Sequence, residues 1–146
     1  SGSENATRRN NQASALVAQL TAAGSPLDAD DWLVVGGDLN TFSRTEPCMT
    51  TLSQVVVTGS PWPVDQASNG NTNAGRALPY DWVLVSSSLD AREVPLRIGP
   101  SSFPAGLVFH SRVYVPLSDV APVEPGDSGV TGMQHMPVVR EFVVPP

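Results

Sequence analysis

Three short stretches of this chain set residues capable of chemistry beside runs that read as strands. In "WLVVGGDLNTFS", Trp32 to Ser43, an apolar run meets two glycines and then delivers Asp38 and Asn40. On an extended backbone these positions share a face, so carboxylate and amide point the same way. The carboxylate can bind a cation or take a proton, and the amide can both donate and accept. Together they suit holding an attacking water and a phosphoryl oxygen next to a divalent cation. An Asx-type turn capping the strand explains the same pair without any chemistry, and for this stretch alone it is the simpler account.

Asp81 lies in "PYDWVLVS", just inside a second apolar run, where a carboxylate is costly unless paired. His135 lies in "GMQHMPVV", at the entry of the last apolar run. An Asp that accepts from one imidazole nitrogen fixes the tautomer and leaves the other nitrogen for a substrate. Singly, each is also an ordinary hydrogen-bonded residue at a strand end.

The elements that must position these residues follow from hydrophobic periodicity. From Ala6 to Ala23 the residues Ala13, Leu16, Val17 and Leu20 fall at helical spacing, and Gly24 and Pro26 end the pattern before the loop "SPLDADD". "WLVVGG" predicts a strand covered on both faces. Glu46 to Val57 predicts a helix with Pro47 in its first turn, turning extended from Val55 to Thr58. "GSPWPVDQASNGNTNAG" is a long Gly-, Pro- and Asn-rich loop, of the kind more often functional or mobile than idle. "YDWVLVSSSL", "GLVFHSRVYVPL" and "MPVVREFVV" predict further strands. The count is one or two helices and four or five strands, with no internal repeat. The first helix and the first strand want partners for their apolar faces that so short a chain is hard put to supply.

Composition narrows the class. With 146 residues, 40% hydrophobic and 15% charged, the chain reads as one globular domain. No apolar run approaches the roughly 18 residues that span a membrane. "SGSENATRRNNQ" lacks the apolar core of a signal peptide. A soluble protein is expected, with compartment open and secreted or periplasmic placement among the options. Net charge is −6 and all eight basic residues are Arg, a poor balance for non-specific binding to polynucleotide or anionic membrane. Arg does suit bidentate contact with phosphate at one defined site. Cys48, the single cysteine, excludes an intrachain disulfide and a thiolate metal cage, and beside Pro47 it reads as packing rather than nucleophile.

Read in order, "GGDLN", "PYDWVLVS" and "MQHMPVVREF" resemble three successive signature segments of the endonuclease/exonuclease/phosphatase superfamily. Those segments run Gly-Asp-Phe/Leu-Asn, then an Asp leading into an apolar strand, then Ser-Asp-His before an apolar residue, Pro and Val. The helix before the first segment and the "NTNAGRALPYD" lead-in to the second also fit, so the resemblance spans about Asn5 to Val143. It implies an α+β fold, the DNase I-like four-layer α/β/β/α sandwich, with residues 1–146 forming its C-terminal portion and supplying the later strands and helices. It implies a metal-dependent phosphoester hydrolase of phosphodiesterase or nuclease type. Asp38 would orient or deprotonate the attacking water and Asn40 would be its phosphate- and metal-side partner. Asp81 would orient the imidazole of His135, which stabilises or protonates phosphoryl oxygens. Mg²⁺ or another divalent cation, held by Asp38 and Asn40, is implied by the resemblance. The substrate would be nucleic acid, phospholipid or a small phosphoester.

Two departures stand out. Gln134 replaces the family's Asp before the histidine, leaving a residue that can still hydrogen-bond to water or phosphate. The metal-binding Glu and mid-domain His of the family's first half have no counterpart, since Glu4 and Glu46 lack the strand context and His110 follows the second motif. His110 is therefore expected to be an ordinary strand histidine, and activity to need an N-terminal half of the same domain. Arg44 and Arg76 are candidate phosphate contacts, each equally explained as a surface or loop residue. Trp62 and Trp82 could stack on a base, and the loop from Gly59 to Gly75 is expected to border the site and set substrate choice. The rival expectation is a non-catalytic binding or assembly module.

Overall fold

In the computed structural model, which describes residues 2–23 and 27–145, the predicted amphipathic helix forms and finds a partner. Helix α1 runs Gly2–Leu20, with Ala13 and Val17 buried and Leu16 and Leu20 packed at the edge of the same cluster. It begins four residues before Ala6, because its first turns are polar and carry no hydrophobic period to reveal them. Glu4 in the first turn suits the positive end of the helix dipole. The predicted stop at Gly24 and Pro26 lies outside the described residues.

Helix α2, Pro47–Leu52, starts from Glu46 in extended conformation, with proline at its opening as expected. It buries Cys48, Met49 and Leu52, and α1 lies along it. Arg9 clamps the junction with two hydrogen bonds to Glu46, at 2.9 and 2.8 Å. Thr51 Oγ1 adds another to Asn10 at 2.7 Å. Cys48 is 3% exposed, and burial, joined by the nearby Glu46 carboxylate, raises its thiol pKa. Iodoacetamide should therefore label Cys48 roughly tenfold or more slowly in the native protein than in denaturant. Mass spectrometry checks this, and fast labelling of the native protein would contradict it.

Strand β1, Val34–Asp38, pairs antiparallel with β2, Asp81–Val85, in the register Val34↔Val85 through Asp38↔Asp81. Trp82 and Leu84 point from this hairpin into the cluster formed by the two helices. By alternation, Asp81 and Asp38 face the other way. One expectation is corrected here. "WLVVGG" is not covered on both faces: the strand begins at Val34, which is 54% exposed, and β1 pairs with β2 alone. Its two glycines have no side chains to bury, and Gly37 at φ +130 adopts a conformation that favours glycine.

After a short helix α3, Ser87–Asp90, the chain forms small antiparallel pairs. Strand β3, Glu93–Val94, pairs with β8, Glu141–Phe142; β4, Leu96–Ile98, with β5, Ser101–Phe103; and β6, Leu107–Val108, with β7, Val138–Val139. Phe103, Leu107 and Tyr114 make a second core. Among the described residues the architecture is mixed helix and strand with four two-stranded sheets, an α+β arrangement.

Three predicted segments differ. "GLVFHSRVYVPL" is a strand only at Leu107–Val108, because the His110 carbonyl accepts from Val113 N and Tyr114 N and turns the chain. His110 is thus a turn residue. "MPVVREFVV" divides at Arg140, whose side chain folds inward to Glu93, Asp90 and the Val83 carbonyl. From Val55 to Thr58 the extension amounts to one bridge, Val57 to Val85. No helix among the described residues is long and apolar enough to cross a membrane.

Candidate active site

Cross-strand register decides the first pair. Asp38 closes β1 directly opposite Asp81, which opens β2, so the two carboxylates emerge on one face. Like charges placed directly opposite one another destabilise a sheet unless something offsets them. His135 does so. Its Nδ1 lies 3.1 Å from Asp81 Oδ2, and its Nε2 lies 3.9 Å from Asp38 Oδ2. The side chains of Asp38 and His135 are a little over one-third exposed, and that of Asp81 is 17% exposed. A cleft of 320 Å³, lined in part by Gly37, Asp81, His135 and Pro137, opens this face to solvent.

The imidazole is held by main chain. Residues 72–74 run antiparallel to it: Asn73 bridges His135, Ala74 N donates to the Gln134 carbonyl at 2.9 Å, and Met136 N donates to the Thr72 carbonyl at 2.7 Å. Thr72 Oγ1 also accepts from Asp81 N at 2.7 Å. One buried threonine therefore fixes both the acid and the imidazole. The Asn73 carboxamide oxygen accepts from Ala77 N and Leu78 N, shaping the return to β2. Both lie in the "NTNAGRALPYD" lead-in, but the sequence assigns neither a role. Thr72→Val keeps the shape but leaves Asp81 N–H without its acceptor, and is expected to cost about 1–3 kcal/mol. Urea denaturation measures it, and an unchanged midpoint would contradict the clip.

Asp38 and Asn40 form the Asx-type turn and also join the site. Asn40 N donates to Asp38 Oδ1 at 2.9 Å and Asn40 Nδ2 to Oδ2 at 2.7 Å. Asn40 has φ 53, a left-handed conformation that asparagine tolerates. The backbone N–H is shared with the Tyr80 carbonyl at 3.2 Å and one carboxamide N–H goes to Asp38, so the amide oxygen and the second carboxamide N–H are the groups left for a cation or a substrate.

The Gly59–Gly75 loop borders the site through Thr72 and Asn73, and the other predicted side chains are engaged elsewhere. Arg44 stacks near Trp62 and Trp82, with ring centroids 4.9 and 5.7 Å away, and bonds to Asn71 and the Gly70 carbonyl. It lines a 120 Å³ cavity that also touches Asp81, and burial lowers its pKa. Trp82 is core, its indole N–H donating to Thr41. Arg76 is committed to Asp65 and the Asn69 carbonyl. Gln134 is exposed, and its carbonyl serves Ala74. His110 accepts from Arg112 N, and burial, with Arg76 nearby, lowers its pKa. The Gly59–Gly75 loop is braced by its own Asp65, Asn69 and Asn71 hydrogen bonds.

Asp38, Asp81 and His135 can each offer one ligand atom, all within 4.8 Å of one another. Two carboxylates and an amide oxygen suit Mg²⁺, while the imidazole nitrogen suits softer divalent ions such as Mn²⁺ or Zn²⁺. The chain was compared with protein-family models, with curated proteins and with solved structures. None matched.

Proposed function

We propose that this face is the hydrolytic centre of a metal-dependent phosphoester hydrolase of phosphodiesterase or nuclease type, in a domain of the endonuclease/exonuclease/phosphatase superfamily with the four-layer sandwich. One observation carries the proposal. The acid and the imidazole of two separate motifs, 54 positions apart, meet at 3.1 Å, and the free side of that imidazole faces the carboxylate of the third. Strand ends collect such a set where chemistry needs it, because two opposed carboxylates bring no stability of their own.

The geometry supports these roles. With Nδ1–H donating to Asp81, His135 is held in one tautomer and presents Nε2 toward Asp38. A gap of 3.9 Å is too long for a direct hydrogen bond, and it suits a water or phosphoryl oxygen shared between the two groups. Asp38 orients that water and takes its proton; His135, when its Nε2 also carries a proton, meets charge on the phosphoryl oxygens or protonates the leaving group. A divalent cation held by Asp38 and Asp81 would supply Lewis-acid charge. The open outer edge of β1 suits a further strand of the same domain, as the expected N-terminal half requires.

The test is hydrolysis of bis(p-nitrophenyl) phosphate by the complete gene product, with and without Mg²⁺ or Mn²⁺. Metal-dependent turnover supports the proposal. The second reading, a binding or assembly module, is favoured by the same open β1 edge and by Gln134 in place of an acid. It predicts no turnover with either metal.

A further inference from the structure

We infer that the centre holds substrate beyond the scissile phosphate, with a single-stranded oligonucleotide running from His135 past Tyr80 and Phe42 into a groove on α1. This rests on the hydrolase reading for what happens at His135, but the groove stands on its own residues. It has a volume of 330 Å³ and is lined by Asn5, Arg8, Arg9, Asn40 and Phe42. Asn40 is a wall shared with the site, since its amide is bonded to Asp38.

Rings lead from the site into this groove. The His135 and Tyr80 centroids are 6.2 Å apart, and Tyr80 and Phe42 are 6.4 Å apart, edge to face. Phe42 is 45% exposed, yet its backbone is anchored because Phe42 N donates to Glu46 Oε1 at 2.6 Å. A large exposed ring on a fixed backbone is a stacking platform needing little further ordering. Asn5, Arg8 and Arg9 share one face of α1 at i, i+3 and i+4. Arg9 is taken up by Glu46 and lies 5.1 Å from the Phe42 centroid. Arg8 is exposed and has no hydrogen bond or ion pair among the described residues. An unpaired guanidinium beside a half-exposed ring, already flanked by Arg9 and Tyr80, matches one nucleotide, phosphate on Arg8 and base on the open part of Phe42.

Duplex is disfavoured, because it asks for a broad basic surface and the chain carries −6. A lipid surface asks for several cations around an inserting apolar tip, and the groove offers one unpaired Arg.

The experiment measures fluorescence anisotropy of a labelled ten-residue oligothymidylate with the complete gene product in EDTA, which stops metal-dependent cleavage. Vesicles of phosphatidylserine and phosphatidylcholine form a second arm, and bis(p-nitrophenyl) phosphate turnover reports the reacting centre separately. Arg8→Ala and Phe42→Ala should each weaken oligothymidylate binding about fivefold or more. Arg8→Ala should also lower the salt slope by about 0.7, and Arg97→Ala, on β4, should change nothing. Phe42→Leu, which keeps the packing but not the ring, should behave as Phe42→Ala. Turnover of the small diester should survive Arg97→Ala. Absence of oligothymidylate binding, equal binding by the Arg8 and Phe42 variants, or preference for vesicles would each overturn the inference. Oligothymidylate binding without turnover of the small diester would instead count against the hydrolase and leave the groove standing.

Discussion

Asp38→Asn in the complete gene product is expected to lower phosphodiester turnover by about 10²- to 10⁴-fold, with the fold retained. The substitution is nearly isosteric, and an amide oxygen can still accept from Asn40 N, so the turn after β1 survives. What it removes is the carboxylate facing His135 Nε2, the group proposed to take the water's proton. The side chain is about one-third exposed at a strand end, so the stability change should stay within about 0.5 kcal/mol. A turnover assay paired with a urea melt separates the outcomes. Unchanged turnover removes Asp38 from the chemistry. Joint loss of fold and activity makes it a structural cap.

Arg140→Ala is expected to have the largest effect on stability, about 3–5 kcal/mol, read from the urea midpoint. Its side chain is 7% exposed and holds Glu93 through two bonds at 2.8 and 2.7 Å, and Asp90 at 2.8 Å. Burial alone would lower the guanidinium pKa; hydrogen bonds and charge from Glu93 and Asp90 outweigh it and raise the value. Truncation would leave Glu93, 14% exposed, without its counter-charge beside Asp90. The half-open Asp90 arm contributes less than the Glu93 arm, because solvent screens it. Arg140 also donates to the Val83 carbonyl at 3.1 Å, tying the end of β7 to the strand that carries Asp81. Arg140→Lys should recover part of the loss, since it keeps the charge without the two-pronged fork. A midpoint unmoved by Arg140→Ala would contradict this account of the β7–β8 junction.

Legibility in the sequence tracked the range of the interactions. The α1 stripe and Pro47 at the opening of α2 were readable because periodicity and proline chemistry are local. The strand expected in "YDWVLVSSSL" was readable for the same reason over Asp81–Val85, while residues 87–89 turn into α3. The exposure of β1 was not, because four apolar residues look alike whether a neighbour covers them or not. The short strands after residue 92 were blurred by side chains acting at long range, Arg140 above all. At the site, Asp38, Asn40, Asp81 and His135 drew notice as polar groups at the ends of apolar runs. Thr72 and Asn73 did not, since a threonine that clips two strands is spelled like any loop threonine. Arg44 and Arg76 attracted a phosphate role by charge and by position, one after "GDLN" and the other before Asp81, and both direct hydrogen bonds to the 65–71 loop.

The most direct measurement is metal-dependent hydrolysis of bis(p-nitrophenyl) phosphate by the complete gene product and its His135→Ala variant, side by side. The account predicts turnover that requires Mg²⁺ or Mn²⁺ in the parent and falls about 100-fold or more in the variant, with matching far-ultraviolet circular dichroism. No metal-dependent turnover in the parent, or equal turnover in both proteins, would contradict it.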